Sequence, residues 1–128
     1  MIYKSARNQE HMEKEQIDIL YDGRHINNVY SGLGRYTASL LEGLLQAIGT
    51  QRSISVLFDS NEDYSNNFHY QKLKPLMDEV GVVEHCVDAP LYSIHHHVKL
   101  SVYINRLKPN LYFYPHFDLP IFIKCPKI

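Results

Sequence analysis

Cysteine is scarce: Cys86 and Cys125 are the only two in 128 residues. Two thiols without Cys-x-x-Cys spacing form neither a disulfide framework nor a zinc site, and they point to a reducing compartment. No apolar run approaches the ~18 residues that span a bilayer. The opening MIYKSARNQEHMEKEQ has no apolar core of the kind a signal peptide needs. Charge of one sign is missing too, with 13 Lys and Arg against 14 Asp and Glu, a net of −1. Nucleic-acid-binding domains carry a basic stripe, so a nucleic-acid partner is excluded, and no basic cluster exists to tether the chain to anionic lipid. There is no internal repeat and no low-complexity segment. The default reading is a cytoplasmic protein.

What remains is an ordinary globular composition, 45% apolar and 21% charged. The length suits one domain that buries roughly two-thirds of its unfolded surface. Residues 1–16 are polar and mixed in charge, without a periodic apolar face, and read as a flexible extension. Residues 17–128 read as the folded part.

That part opens on Ile17, Ile19, Leu20 and Tyr21, a short apolar run expected to be a strand buried on both faces. Asp22, Gly23, Arg24 and His25 mark its carboxyl end. A polar loop from Ile26 to Ser31 follows. Leu33, Tyr36, Thr37, Leu40, Leu41, Leu44, Leu45 and Ile48 then step by threes and ones, which predicts a helix burying eight side chains along one face. Ser31 is the expected N-cap and Gly49 the expected C-cap.

Ile54 to Phe58 predicts a second strand, and Asp59 to Asn67 a surface loop. Tyr70, Leu73, Leu76, Met77 and Val80 predict a helix that starts at Pro75 or is kinked there, closed by Gly81. Val82, Val83 and Val87 suggest a third strand. The segment opened by Pro90 fits a helix ending at Pro109, and Leu111 to Tyr114 a fourth strand. Pro115 to Pro120 reads as a loop and Cys125 to Ile128 as the start of another element. The alternation implies an α/β fold, a Rossmann-like parallel sheet with flanking helices.

Gly32–Leu33–Gly34 is the sharpest local feature. It has the spacing of half a dinucleotide fingerprint, but Thr37 holds the third glycine position and the loop lies about ten residues beyond the strand. A dinucleotide site is therefore rejected. Glycines at a helix N-terminus still let a phosphate approach backbone N–H groups, with Arg35 in the first turn as a charged partner. Loop geometry alone explains the two glycines equally well.

His95, His96 and His97 cannot converge on one ion from a helix, because neighbours point about 100° apart; no metal is expected. His116 falls just after the fourth strand, at the same carboxyl edge as Arg24 and Gly32. It suits ligand contact or proton transfer, or a structural loop role. Asp22, Asp88 and Asp118 stand near strand ends, where loop and capping roles explain them.

Two segments together resemble the acceptor-side half of a GT-B glycosyltransferase of family 4, the large retaining family. One is IDILYDGRHINNVYSGLGRYTASLLEGLLQAI, where Asp22, Arg24, Gly32, Gly34, Arg35, Tyr36 and Thr37 fall into the family pattern of a strand ending in Asp-x-Arg and a glycine loop before the first helix. The other is KPNLYFYPHFDLPIFIKCPKI, where Pro115, Pro120, Cys125 and Pro126 match the fourth strand and its Pro-rich loop.

The resemblance implies the incomplete N-terminal half of a GT-B fold. It puts Gly32, Gly34 and Arg35 near a donor diphosphate and Arg24 and His116 at an acceptor cleft. No residue is assigned a catalytic role, and neither cofactor nor metal is implied. The family's nucleotide-binding half carries two glutamates separated by seven residues, and no pair here has that spacing. The expected activity is sugar transfer from a nucleotide-sugar donor to a glycan or lipid-linked acceptor in polysaccharide biosynthesis, at or near the inner membrane face. The chain alone is expected to be inactive. Two alternatives stand beside this. One is a non-enzymatic truncated or split-gene product that pairs with a missing C-terminal half or with itself through an open sheet edge. The other is a stand-alone flavodoxin-like nucleotide binder.

Overall fold

A computed structural model of the chain describes residues 16–28, 32–89, 97–115 and 123–128. The expectations for residues 1–15, Pro90 to His96 and the loop bearing His116 and Asp118 lie outside the described residues. Gln16, grouped with the extension on sequence, is held in place: its Nε2 donates to the carbonyls of Ile17 and Lys108 and to Asn110 Oδ1.

The elements are β1 (Ile19–Asp22), a 3₁₀ helix (Arg24–Asn27), α1 (Leu33–Ile48), β2 (Ile54–Asp59), α2 (Phe68–Val80), β3 (Val83–Val87), α3 (Lys99–Leu107) and β4 (Leu111–Phe113). All strand pairs are parallel and the sheet order is β3-β2-β1-β4. The fold is Rossmann-like α/β, as the alternating pattern implies. Pro126 to Ile128 extend the sheet beyond β4. The N–H groups of Tyr112 and Tyr114 donate to the Pro126 and Ile128 carbonyls, the Ile128 N–H donates to Tyr112, and Tyr112 and Lys127 form a parallel bridge.

Side chains alternate between the two faces of the sheet, so two cores form. Tyr21, Ile54, Val56 and Phe58 pack with Leu41 and Leu45 of α1 and Leu73 and Met77 of α2. Leu20, Leu57 and Tyr112 pack on the other face with Leu100 and Ile104 of α3. All six residues of β2, a strand with neighbours on both sides, are buried. That explains why its sequence reads as a continuous apolar run rather than an alternating one.

Three sequence expectations are corrected. The buried stripe of α1 is narrower than eight residues and is made of Gly34, Thr37, Ala38, Leu41 and Leu45, while Tyr36 is 55% exposed. Tyr36 is two positions from both Gly34 and Ala38, and a two-position step turns about 200° round a helix, so Tyr36 faces away from that stripe. The N-cap of α1 is Gly32, with φ at +74°, instead of Ser31. The polar segment after β1 is not a plain loop, because Arg24–Asn27 forms a turn of 3₁₀ helix with Arg24, His25 and Ile26 buried.

Helix α2 runs through Pro75. Its start is fixed by Asn67, whose Oδ1 accepts the Tyr70 N–H at 3.0 Å, and its end by Gly81 in the left-handed region at φ +80°. These two caps bracket the helix across the hydrogen bond that the proline removes. Gly49 is the C-cap residue of α1 and keeps right-handed geometry.

Candidate functional site

From β1 the chain moves to β2 and then β3 on one side, and returns through α3 to place β4 on the other side of β1. The strand order therefore reverses between β1 and β4. In open parallel sheets the crevice beyond the carboxyl ends of the strands at such a reversal is where ligands bind. The residues at that point are Asp22 to Asn27 after β1 and Tyr114 and Pro115 after β4.

At this edge of the sheet lies a buried ion pair. Arg24 Nη2 lies 2.8 Å from Asp22 Oδ2, with both side chains fully buried, and Arg24 Nε donates to Oδ1 at 2.9 Å and Oδ2 at 3.1 Å. The Arg24 backbone N–H adds a bond to Asp22 Oδ1 at 3.1 Å. Arg24 Nη1 donates to the Ala89 carbonyl at 2.8 Å, which ties the segment after β3 to the same group. The Tyr112 hydroxyl donates to Asp22 Oδ2 from the neighbouring strand. Beside it, the Tyr114 hydroxyl and His25 Nε2 lie 3.0 Å apart, and the rings of Tyr112 and Tyr114 stack at 6.1 Å. The Arg24 guanidinium sits 5.9 Å from the centre of the Tyr114 ring.

Burial works to raise the Asp22 pKa, but the charge and hydrogen bonds of Arg24, with the Tyr112 hydroxyl, outweigh it and hold the carboxyl below its ordinary range. A carboxyl lowered in the folded state adds stability above its unfolded pKa of about 4 and loses it as pH falls towards the folded value. Burial lowers the affinity of Arg24 for its proton, and Asp22 more than restores it, so Arg24 stays charged. Carboxylate and guanidinium are both locked in their ionised forms. The pair is a charged structural brace rather than a proton-transfer couple.

The 3₁₀ helix is clamped from the β2 side. The Tyr64 hydroxyl donates to the Arg24 carbonyl at 3.3 Å and accepts the Asp59 N–H at 3.2 Å. Asn67 Nδ2 donates to the Ile26 carbonyl at 3.2 Å, and Asn27 Nδ2 to Glu62 Oε1 and the Asp63 carbonyl, each at 3.1 Å. The carbonyl end of this short helix in turn seats the start of α1. The Gly34 N–H donates to the Asn28 carbonyl at 3.1 Å, and a Cβ on Gly34 would lie 2.4 Å from that oxygen and 2.6 Å from the Ile26 oxygen.

The sequence candidates thus divide. Arg24 is 2% exposed, and its guanidinium is taken up by Asp22 and the Ala89 carbonyl. Gly34 is buried, and its N–H serves the contact between the 3₁₀ helix and α1. Gly32 and Arg35 are exposed at the first turn of α1, and among the described residues nothing lies within 4 Å of where a Cβ on Gly32 would stand. His116 lies outside the described residues. Sequence reasoning gave Asp22 only a loop or capping role and assigned none to His25, Tyr112 and Tyr114. Their signal was available: a carboxylate ending a doubly buried strand needs a cation, and buried tyrosines need partners for their hydroxyls.

Three buried tyrosines set an alkaline limit. Burial, with the nearby Asp22 charge, raises the pKa of Tyr21 and Tyr112 well above 10, and burial does the same for Tyr64. The Tyr21 hydroxyl also donates to the Thr37 carbonyl at 2.7 Å. A pKa raised in the folded state gives stability that is present below the unfolded value of about 10 and is lost as pH rises. Each group contributes a loss of about 1.4 kcal/mol per pH unit above 10, about 4 kcal/mol for the three. Tyrosinate absorbance and helical circular dichroism should therefore change together in one cooperative step above pH 10. Ionisation of every tyrosine with helix content unchanged would contradict this.

Among the described residues no three His, Cys, Asp or Glu side chains group in a way that could hold a metal ion, and no helix is long and apolar enough to cross a membrane. Compared with known proteins, the chain matches no family model, no curated protein and no solved structure.

Proposed function

We propose that this chain is the acceptor-side half of a two-domain glycosyltransferase that moves a sugar from a nucleotide-sugar donor to a glycan or lipid-linked acceptor at the cytoplasmic face of a membrane. The observation that carries the reading is the reversal of strand order between β1 and β4. It brings the Asp22–Gly23–Arg24 strand end and the glycine-led start of α1 to the same edge of the sheet as the Tyr114–Pro115 strand end. These lie in the two segments whose sequences resemble that family, residues 17–48 and 108–128, which are separated by some 60 residues in the chain.

On this reading each part of the edge has a task. The Asp22–Arg24 brace holds the crevice floor rigid. Gly32 leaves the N-terminus of α1 open to a phosphate, which the helix dipole favours, and Arg35 offers charge-assisted hydrogen bonds from the first turn. The other wall, with most donor contacts, belongs to a second domain. Binding without turnover is the expected behaviour of these 128 residues.

An amide-resolved NMR titration tests it, with nucleotide-diphosphate sugars and oligosaccharide acceptors added in separate experiments. Shifts are expected at residues 23–28, 32–36 and 111–115, with no sugar transferred. Robust turnover by this chain alone would sink the proposal, as would the absence of a response to both ligand classes.

A second reading draws on Pro126 to Ile128, which pair with β4 and, among the described residues, have no strand on their other side. An open strand is a template for another polypeptide, so a non-enzymatic subunit that pairs through this edge is the alternative. Light scattering discriminates: a concentration-dependent rise in mass supports it, and a clean monomer argues against it.

A further inference from the structure

We draw no further inference here: the strongest candidate, the exposed apolar side chains of Val98 and Val102 one turn apart at the start of α3, carries nothing because nothing in the structure shows what covers it.

Discussion

Replacing Arg24 by methionine is expected to lower the unfolding free energy by about 3–5 kcal/mol, the usual cost of breaking a buried ion pair from one side. The cause is less the lost attraction than the carboxylate left behind. Asp22 is fully buried, and without Arg24 the partners left to it among the described residues would be the Tyr112 hydroxyl and the backbone N–H of position 24. Burial would then dominate and drive the Asp22 pKa upward.

The variant should consequently reverse its acid response. The parent loses stability as pH falls below about 4, whereas Arg24→Met should gain stability relative to the parent as Asp22 takes up its proton. Combining Asp22→Asn with Arg24→Met removes the stranded charge, so the double variant should be more stable than Arg24→Met alone. Urea denaturation of the parent, both single variants and the double variant at neutral and acid pH reads all of these differences. Additive losses, with no recovery in the double variant, would show that the two side chains do not act as a pair.

Gly34→Ala is expected to destabilise by about 2–3 kcal/mol, at the upper end of what overpacking costs. The sign is the informative part. Inside a helix, alanine normally gains about 1 kcal/mol over glycine. At Gly34 the added methyl would meet two backbone oxygens, of Asn28 at 2.4 Å and Ile26 at 2.6 Å, and backbone cannot swing aside like the end of a side chain.

Gly43, also within α1, is the matched control. Among the described residues nothing lies within 4 Å of its Cβ position, so Gly43→Ala should stabilise by about 0.5–1 kcal/mol. Thermal melts of the two variants should move in opposite directions. Equal shifts would mean that the contact between α1 and the 3₁₀ helix is not tight. Because Gly34 is seated on the carbonyls that follow Arg24, its substitution should also displace the crevice wall. The NMR response of residues 32–36 to ligand should weaken more in Gly34→Ala than in Gly43→Ala.

The sequence by itself determined the class of the fold, and the reason is periodicity. Steps of three and four from Leu33 to Ile48 can be satisfied by a helix with one face in a core, and the helix occupies those residues. The apolar run from Ile54 to Phe58 suits a strand covered on both faces, and β2 is that strand. Local chemistry also marked Gly81 as the end of α2, because its left-handed geometry favours glycine.

Only the tertiary structure decided the chemistry at the ends of β1 and β4. Arg24 reads as a ligand-facing cation when it is met in a polar stretch of sequence. It becomes a buried brace because Asp22, two residues earlier, is covered by Tyr112 from a strand 90 residues away and Ala89 arrives from the end of β3. Gly34 reads as a phosphate-loop glycine, yet the backbone of residues 26–28 folds against it. Strand order, too, is invisible to periodicity, since β4 would show the same alternation beside β3 as beside β1. Burial and charge pairing depend on contacts between distant segments, and a local pattern carries no record of which segments meet.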